Sequence, residues 1–292
     1  MRILVVNAGS SSVKLSLLDG DEVVRQDSVG PDDAGDALGA FLRERPEAVG
    51  HRVVHGGTRF PGPALVDDDV LAGIDTLHDL APLHQGPAVV ALRRARELLP
   101  GVPQVACFDT AFHAAMPAAA STYAVPRRWR DELGVRRYGF HGLAHEWSSR
   151  RAAEIVGRPV GALRTVTAHL GSGASLCAVD RGVSVDTTMG FTPTAGLVMG
   201  TRSGDLDPSV PPYLVRRGVS AQDVGEALDS DSGLLALGGA ADPRELVGSA
   251  EPDAALALDV WVHRARGLVA AMAAAMGGLD VLAFSGGVGE HQ

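Results

Sequence analysis

The chain has 292 residues, enough for about two domains that each bury their own core. Hydrophobic residues make up 46% and charged residues 21%, and the formal charge of −9 argues against a general role on nucleic acid or on an anionic membrane. Any anionic ligand is therefore held by a local site. Cys107 and Cys177 stand alone, without a C-x-x-C or paired spacing. They read as small buried hydrophobes of a reducing compartment, not as a disulfide framework or a zinc cluster. The N-terminus has no apolar signal core or cleavage site, and the Ala-rich run Gly267 to Leu279 is too short to span a bilayer, so the expected location is the cytoplasm.

Residues 2–7, 12–18 and 22–28 read as a meander of three strands, linked by Ala-Gly-Ser-Ser and by an Asp19-Gly20-Asp21 turn. A weak helix is expected over 33–45, then a strand from Ala48 to His55 ending in Gly56-Gly57. Val89, Val90, Leu92, Leu98 and Leu99 after Gly86-Pro87 favour a helix that Pro100-Gly101 stops, and Gln104 to Phe108 is a short buried strand. Arg127, Arg128, Arg130, Arg136 and Arg137, with Trp129 and Tyr138 interleaved, read as a solvated face, with a nucleic-acid patch as the alternative. A second helix fits Leu143 to Val156 and closes at Gly157. Strands at 165–170, 174–179 and 183–187 then repeat the meander, a long helix covers about 253–276, and LDVLAFSGGVGE is a strand leaving into a glycine turn.

The meander is written twice. Gly9 and Gly171, Ser10 and Ser172, Gly20 and Gly182, and Val23 and Val185 each lie 162 positions apart. Strands followed by helices in each half predict two α/β halves that face each other across a cleft. Hairpin turns with unhindered amides form concavities that suit a phosphate chain, and Ser285-Gly286-Gly287-Val288-Gly289 sits at a strand's carboxyl end, where α/β sheets place ligands. No P-loop, G-x-G-x-x-G or H-E-x-x-H is present, since His145-Glu146 is followed by Trp-Ser-Ser.

Several chemistry-bearing residues share one kind of placement, at strand ends beside glycines. Lys14 alternates with Ser12 and Ser16, Arg52 and His55 bracket Val53-Val54, and Arg202 sits between Gly200 and Gly204. Asp109 follows a buried strand, and His141 and His169 flank turns. Taken singly, each is as well explained by a surface ion pair or a structural histidine. Together they match phosphoryl transfer, which needs positioning and positive charge around the equatorial oxygens and little covalent chemistry from the protein.

From Met1 to about Glu290 the sequence resembles the acetate kinase family, of the acetate and sugar kinase, heat-shock ATPase and actin superfamily. The resemblance rests on NAGSSSVK, HRVVHGG, APLHQGP, FDTAFH, RYGFHG, AHLGSGAS, DTTMGFTP, GLVMGTRSGDLDP, DSGLL and SGGVGE. It implies a duplicated actin-like (ribonuclease H-like) α/β fold with mixed sheets flanked by helices, one domain over 1–113 and a second, shortened relative to the family, over 114–292. It also implies reversible, in-line phosphorylation of acetate by ATP with Mg2+, or Mn2+ in its place, in a homodimer.

The same resemblance implies the residue roles. Asn7 lies near the metal. Ser10, Ser12 and Lys14 line the phosphate loop with His169, Gly171, Ser172 and Gly173. Arg52 and Arg202 hold the carboxylate and the transferring phosphoryl group. His141 and His169 donate hydrogen bonds to that group, and Asp109 orients an arginine or a metal-bound water. Val54, Leu83, Phe140 and Pro193 form the methyl pocket. Asp242, Arg244, Gly286, Gly287, Val288, Gly289 and Glu290 lie along the adenosine.

The departures from the family pattern are Gln85, Ser172 and His291 in place of Asn, and Thr194-Ala195 in place of a bulkier, acidic pair. The family also continues past the last glycine motif through further helices and a metal-associated carboxylate. The expectation is therefore exposed apolar surface and reduced or absent activity for these 292 residues. The competing readings are a propionate or butyrate kinase, a catalytically silent nucleotide-binding module and, more weakly, a sugar kinase, which would leave two arginines nothing to neutralise.

Overall fold

The computed structural model describes residues 1–9, 12–30, 38–39, 41 and 45–291, with backbone alone at 79 and 82–84. The chain divides into two compact units, Met1–Ala114 and Ala115–Gln292. Each is built on a mixed sheet.

In the first unit, β1 (Arg2–Ala8) pairs antiparallel with β2 (Val13–Asp19), and β2 with β3 (Glu22–Val29). The other edge of β1 takes β4 (Ala48–Val53) in parallel, followed by β6 (Gln104–Phe108) in parallel and the short β5 (Ala64–Leu65), giving the order β3-β2-β1-β4-β6-β5. Period-two alternation sends Leu4, Val6 and Ala8 of β1, with Val13, Leu15 and Leu17 of β2, into one core that also holds Leu38 and Phe41. The rest of the helix expected over 33–45 lies outside the described residues, Gly39 and Arg45 excepted. Between β5 and β6 come α1 (Asp68–Asp75), capped by the Asp67 carboxylate on the Val70 N–H, and α2 (Pro82–Leu98). Helix α2 begins six residues ahead of the sequence reading. Pro82 occupies its first position, where the missing N–H costs nothing, and Pro87 is carried inside it.

In the second unit, α3 (Arg127–Leu133) and α4 (Gly142–Ile155) precede β7 (Arg164–Leu170), β8 (Ala174–Asp180) and β9 (Val183–Thr187). These strands repeat the antiparallel meander, and β10 (Val281–Ser285) joins β7 in parallel, giving the order β10-β7-β8-β9. By topology β10 is the counterpart of β4. The repeat is closer in backbone than in sequence: both meanders carry a register irregularity, at Leu17/Leu18 and at Ala178/Val179.

The loop between the first two strands is one residue shorter in the second copy, so the spacing falls from 162 to 161 after it. The turn glycines are therefore not equivalent. Gly20 (φ +62°) matches Arg181 (φ +53°), and Gly182 matches Asp21. A non-glycine residue with positive φ at 181 is the strain that this slip imposes.

Four further helices, α5 (Val210–Arg216), α6 (Ala221–Ser230), α7 (Gly233–Gly238) and α8 (Pro243–Val247), lead to the long α9 (Pro252–Ala275). Gly238 permits close packing there, since a Cβ would stand 2.9 Å from that of Ala257. No helix among the described residues is long and apolar enough to cross a membrane. The apolar side chains of Trp147, Ile155, Leu282 and Phe284, along α4 and β10, are exposed. Within the arginine run, Arg137 departs from a solvated face: its guanidinium donates to the carbonyls of Thr187, Thr188 and Met189. Cys177 is buried as expected, but Cys107 is only partly so.

Candidate active site

In the first unit the parallel register sets Asn7 beside Arg52, the antiparallel register sets Asn7 beside Lys14, and Arg52 faces Cys107 on the other side. Alternation that buries Val6 and His51 turns Asn7 and Arg52 to the opposite face. Asp109 follows directly on β6 and is 2% exposed. Its Oδ2 accepts from Arg52 Nη2 at 2.6 Å and from Nε at 3.1 Å, a fork that fixes the guanidinium plane. Arg52 Nη1 donates to Asn7 Oδ1 at 3.1 Å. The Asp109 charge, above all, raises the Arg52 pKa, and burial acts against it.

The chain after β4 is packed tightly. His55 Nδ1 accepts from the Gly57 N–H at 2.9 Å, Gln85 donates to the His55 carbonyl at 2.8 Å, and the Gly56 N–H donates to Thr110 Oγ1 at 3.0 Å. A Cβ on Gly56 would sit 2.8 Å from the Phe60 carbonyl oxygen, so only glycine fits. Gln85 thus has a backbone-holding task that a shorter Asn reaches less easily.

In the second unit His141 is the residue before α4, held in the left-handed region at φ +57°. Its Nδ1 meets Ser175 Oγ at 2.9 Å, and its ring centroid is 4.9 Å from that of His169, edge to face. His169 Nδ1 meets Ser285 Oγ at 3.1 Å. One turn into α4, His145 is fully buried and bridges Thr167 Oγ1 and Ser175 Oγ, each at 2.7 Å.

A Cβ built on Gly173 would lie 3.5 Å from both His141 Nε2 and Arg202 Nη1, so these two groups converge on the small space beside the 171–173 turn. Arg202 Nη1 donates to the Pro193 carbonyl at 3.3 Å, and burial, partly offset by Asp229, lowers its pKa. The loop that carries Arg202 is clamped by backbone bonds from Leu234 to Met199, Leu235 to Gly200 and Ser232 to Thr201.

Other expected site residues fall outside these two clusters. Ser10 and the side chain of Leu83 lie outside the described residues. Val54 and Phe140 are buried, Pro193 is half-buried, and Lys14 is exposed. Ser12 accepts from the Gly9 N–H through its carbonyl, and Ser172 from the Gly200 N–H. Asp242 caps α8 and grips Arg244, which with the Arg244 amide pulls its pKa down to about 2. The expected glycine turn at 285–289 is instead the direct passage of β10 into α10 (Gly286–His291), with Gly286 at φ +82° against the Leu170 backbone.

Sequence reasoning missed His145, Thr167, Ser175 and Ser285 as supports. Only the four-residue spacing of His141 and His145, one helical turn, signalled any of them.

No group of three or more His, Cys, Asp or Glu among the described residues could hold a metal ion. Asn7 Oδ1 and Asp109 are hard oxygen donors of the kind Mg2+ prefers, and both are already bonded to Arg52. They fit the water shell of a nucleotide-bound metal better than direct ligation.

Two actin-like halves, one holding Arg52 in the fork of Asp109 and the other setting Arg202 beside the paired imidazoles of His141 and His169, belong to a phosphotransferase with a carboxyl group as acceptor. The chain belongs to the acetokinase family, whose description matches residues 42–292. It is 42% identical to the acetate kinase of Fervidobacterium nodosum over its whole length and 45% identical to that of Leifsonia xyli over 99% of it, covering 82% and 83% of those proteins. Among solved structures it matches Porphyromonas gingivalis acetate kinase with a TM-score of 0.93 at 38% identity, over 99% of this chain and 84% of that one. A propionate kinase from Francisella tularensis gives 0.92 at 36% identity, over 99% and 84%.

Proposed function

We propose that the protein transfers the γ-phosphoryl group of ATP to acetate, forming acetyl phosphate and ADP, reversibly and with Mg2+. The observation that carries this reading is the convergence of Arg202 and His141 on the space beside Gly173, the turn of a duplicated phosphate-type hairpin. Arg52, fixed by Asp109, and Arg202 hold the acceptor carboxylate and the phosphoryl group. His141 and His169 donate to the equatorial oxygens, where charge is spread in transfer. The amides of 171–173, with Ser10, Ser12 and Lys14, cradle the nucleotide phosphates, and Asp242, Arg244 and 286–290 lie along the adenosine. Asn7 and Asp109 would hold the water shell of a Mg2+ ion, which when bound would supply positive charge to the nucleotide phosphates. Val54, Leu83, Phe140 and Pro193 bound the methyl group. The family also supports domains over 1–113 and 114–292, a homodimer and a cytoplasmic setting. The likeness to a propionate kinase supports propionate as a second acceptor, since one methylene is worth only about 1–3 kcal/mol of discrimination.

The test is trapping of acyl phosphate with hydroxylamine from Mg-ATP and acetate, propionate or butyrate. Product from acetate that falls about 100-fold or more in Arg202→Ala is expected, the scale seen when one charge-stabilising donor is lost. No product from a folded chain would leave a nucleotide-binding protein without transfer activity.

A further inference from the structure

We propose that Thr167, His145 and Ser175 form a one-way hydrogen-bond chain that holds His141 as an Nε2–H donor. The three are positioning residues: each acts on His141, and only His141 reaches the space beside Gly173.

The direction follows from counting protons, because a hydroxyl has one to give and a neutral imidazole has one nitrogen that donates and one that accepts. Thr167 Oγ1 lies 2.7 Å from His145 Nδ1 and 3.5 Å from the Cys177 carbonyl, the latter beyond good O–H···O range. A buried donor without a close acceptor is costly, so the Thr167 proton goes to His145 Nδ1. His145 then carries its own proton on Nε2 and donates it to Ser175 Oγ at 2.7 Å. That frees the Ser175 proton for His141 Nδ1 at 2.9 Å. With Nδ1 accepting, the proton of a neutral His141 sits on Nε2, the atom 3.5 Å from the Gly173 Cβ position and facing the same space as Arg202 Nη1.

The consequence is a pair of fixed donors for one anionic oxygen, without need of the imidazolium. Thr167 and Ser175 belong to strands and His145 to a helix, so the direction of donation is set by β7, β8 and α4 and not by a mobile loop.

The tautomer is read from the fold alone; its use in catalysis rests on the phosphoryl-transfer reading, and the experiment separates the two. Long-range proton–nitrogen correlation on the full chain with labelled histidine, at about pH 8, assigns His141 by the signal lost in His141→Gln. The expected result is a bare Nδ1 and a protonated Nε2 on both His141 and His145. Thr167→Val should redistribute the proton on both rings, and Thr167→Ser should restore it. A protonated Nδ1 on His141, or a Thr167→Val chain with both rings unchanged, overturns the proposal. If Thr167→Val does not fold, the wild-type assignment decides alone. In the acyl phosphate assay Thr167→Val should lower kcat about 10-fold with the KM for acetate unchanged, and Thr167→Ser should recover it. A full kcat in Thr167→Val would also overturn the proposal. Wild type without product, but with the expected tautomers, would instead sink the kinase reading and leave the chain of hydrogen bonds standing.

Discussion

Acid should loosen the first unit through two buried histidines, His51 and His55. His51 is 2% exposed and its Nε2–H donates to Gln104 Oε1 at 2.8 Å; His55 is fully buried. Burial takes each from an ordinary 6.5 to about 4. Between those values the unfolded chain binds protons that the folded one refuses, so stability rises with pH; it is complete above 6.5 and lost as pH falls toward 4. A shift of about 2.5 pH units is worth ~3 kcal/mol per histidine, so the pair costs ~3 kcal/mol by pH 5.5 and roughly 7 below pH 4. That is comparable with the whole stability of a domain, about 5–15 kcal/mol. Urea unfolding between pH 8 and 5, followed by far-UV circular dichroism, measures the slope. All three tryptophans, 129, 147 and 261, belong to the second unit, so their fluorescence reports that unit separately. His51→Gln should remove about half of the slope. A first-unit transition that does not move between pH 8 and 5 would refute the assignment of both rings as buried and uncharged.

Asp109→Asn leaves the Arg52 guanidinium half-buried without its counter-charge, and thermal or urea unfolding should show a loss of about 2–4 kcal/mol, the lower side of the range for a broken buried pair because Arg52 retains 28% exposure. Gly173→Ala places its methyl at ordinary contact distance, 3.4 to 3.5 Å, from His141 and Arg202, so the melting temperature should hardly change while acyl phosphate formation falls 10-fold or more. Gly233→Ala is the opposite case. With φ at +67° and a Cβ 2.2 Å from the Met199 carbonyl oxygen, it should cost about 3 kcal/mol or more and show as insolubility or an early urea transition.

Most of the framework was legible because it depends on local chemistry. Alternation in ILVV and KLSLL, and Gly-bounded turns, place β1 to β3 within a residue or so of their true ends. The errors have physical causes. Pro87 reads as a helix start, yet the structure accommodates it inside α2, whose start at Pro82 removes the need for an earlier cap. SGGVGE reads as a turn because glycine is a poor helix former; a single positive φ at Gly286 lets the chain turn from strand to helix at once. Asp109 and Arg52 could be named from their strand-end positions, but their fork could not, since it joins residues 57 apart through β4 and β6. Ser175 and Ser285 carry no signal of their own until pairing sets them on either side of His169.

That pairing exposes the logic of the duplication. Across β2, β1 and β4 one cross-strand row reads Lys14, Asn7, Arg52; across β8, β7 and β10 the equivalent row reads Ser175, His169, Ser285. Asn7 and His169 are 162 apart, and Lys14 and Ser175 are 161 apart, matching the one-residue shortening of the intervening loop. One backbone position has thus been kept in each half while its chemistry diverged. The first unit fills the row with two cations and an amide, and its arginine, Arg52, is held in place by the buried carboxylate of Asp109. The second fills it with an imidazole and two hydroxyls: Ser285 bonds His169 within the row, and Ser175 bonds His141 and His145 beside it. A formal charge of −9 makes this division intelligible: anion binding depends on a few fixed donors, and fixing a guanidinium takes an ion pair, whereas fixing an imidazole takes a serine on the neighbouring strand.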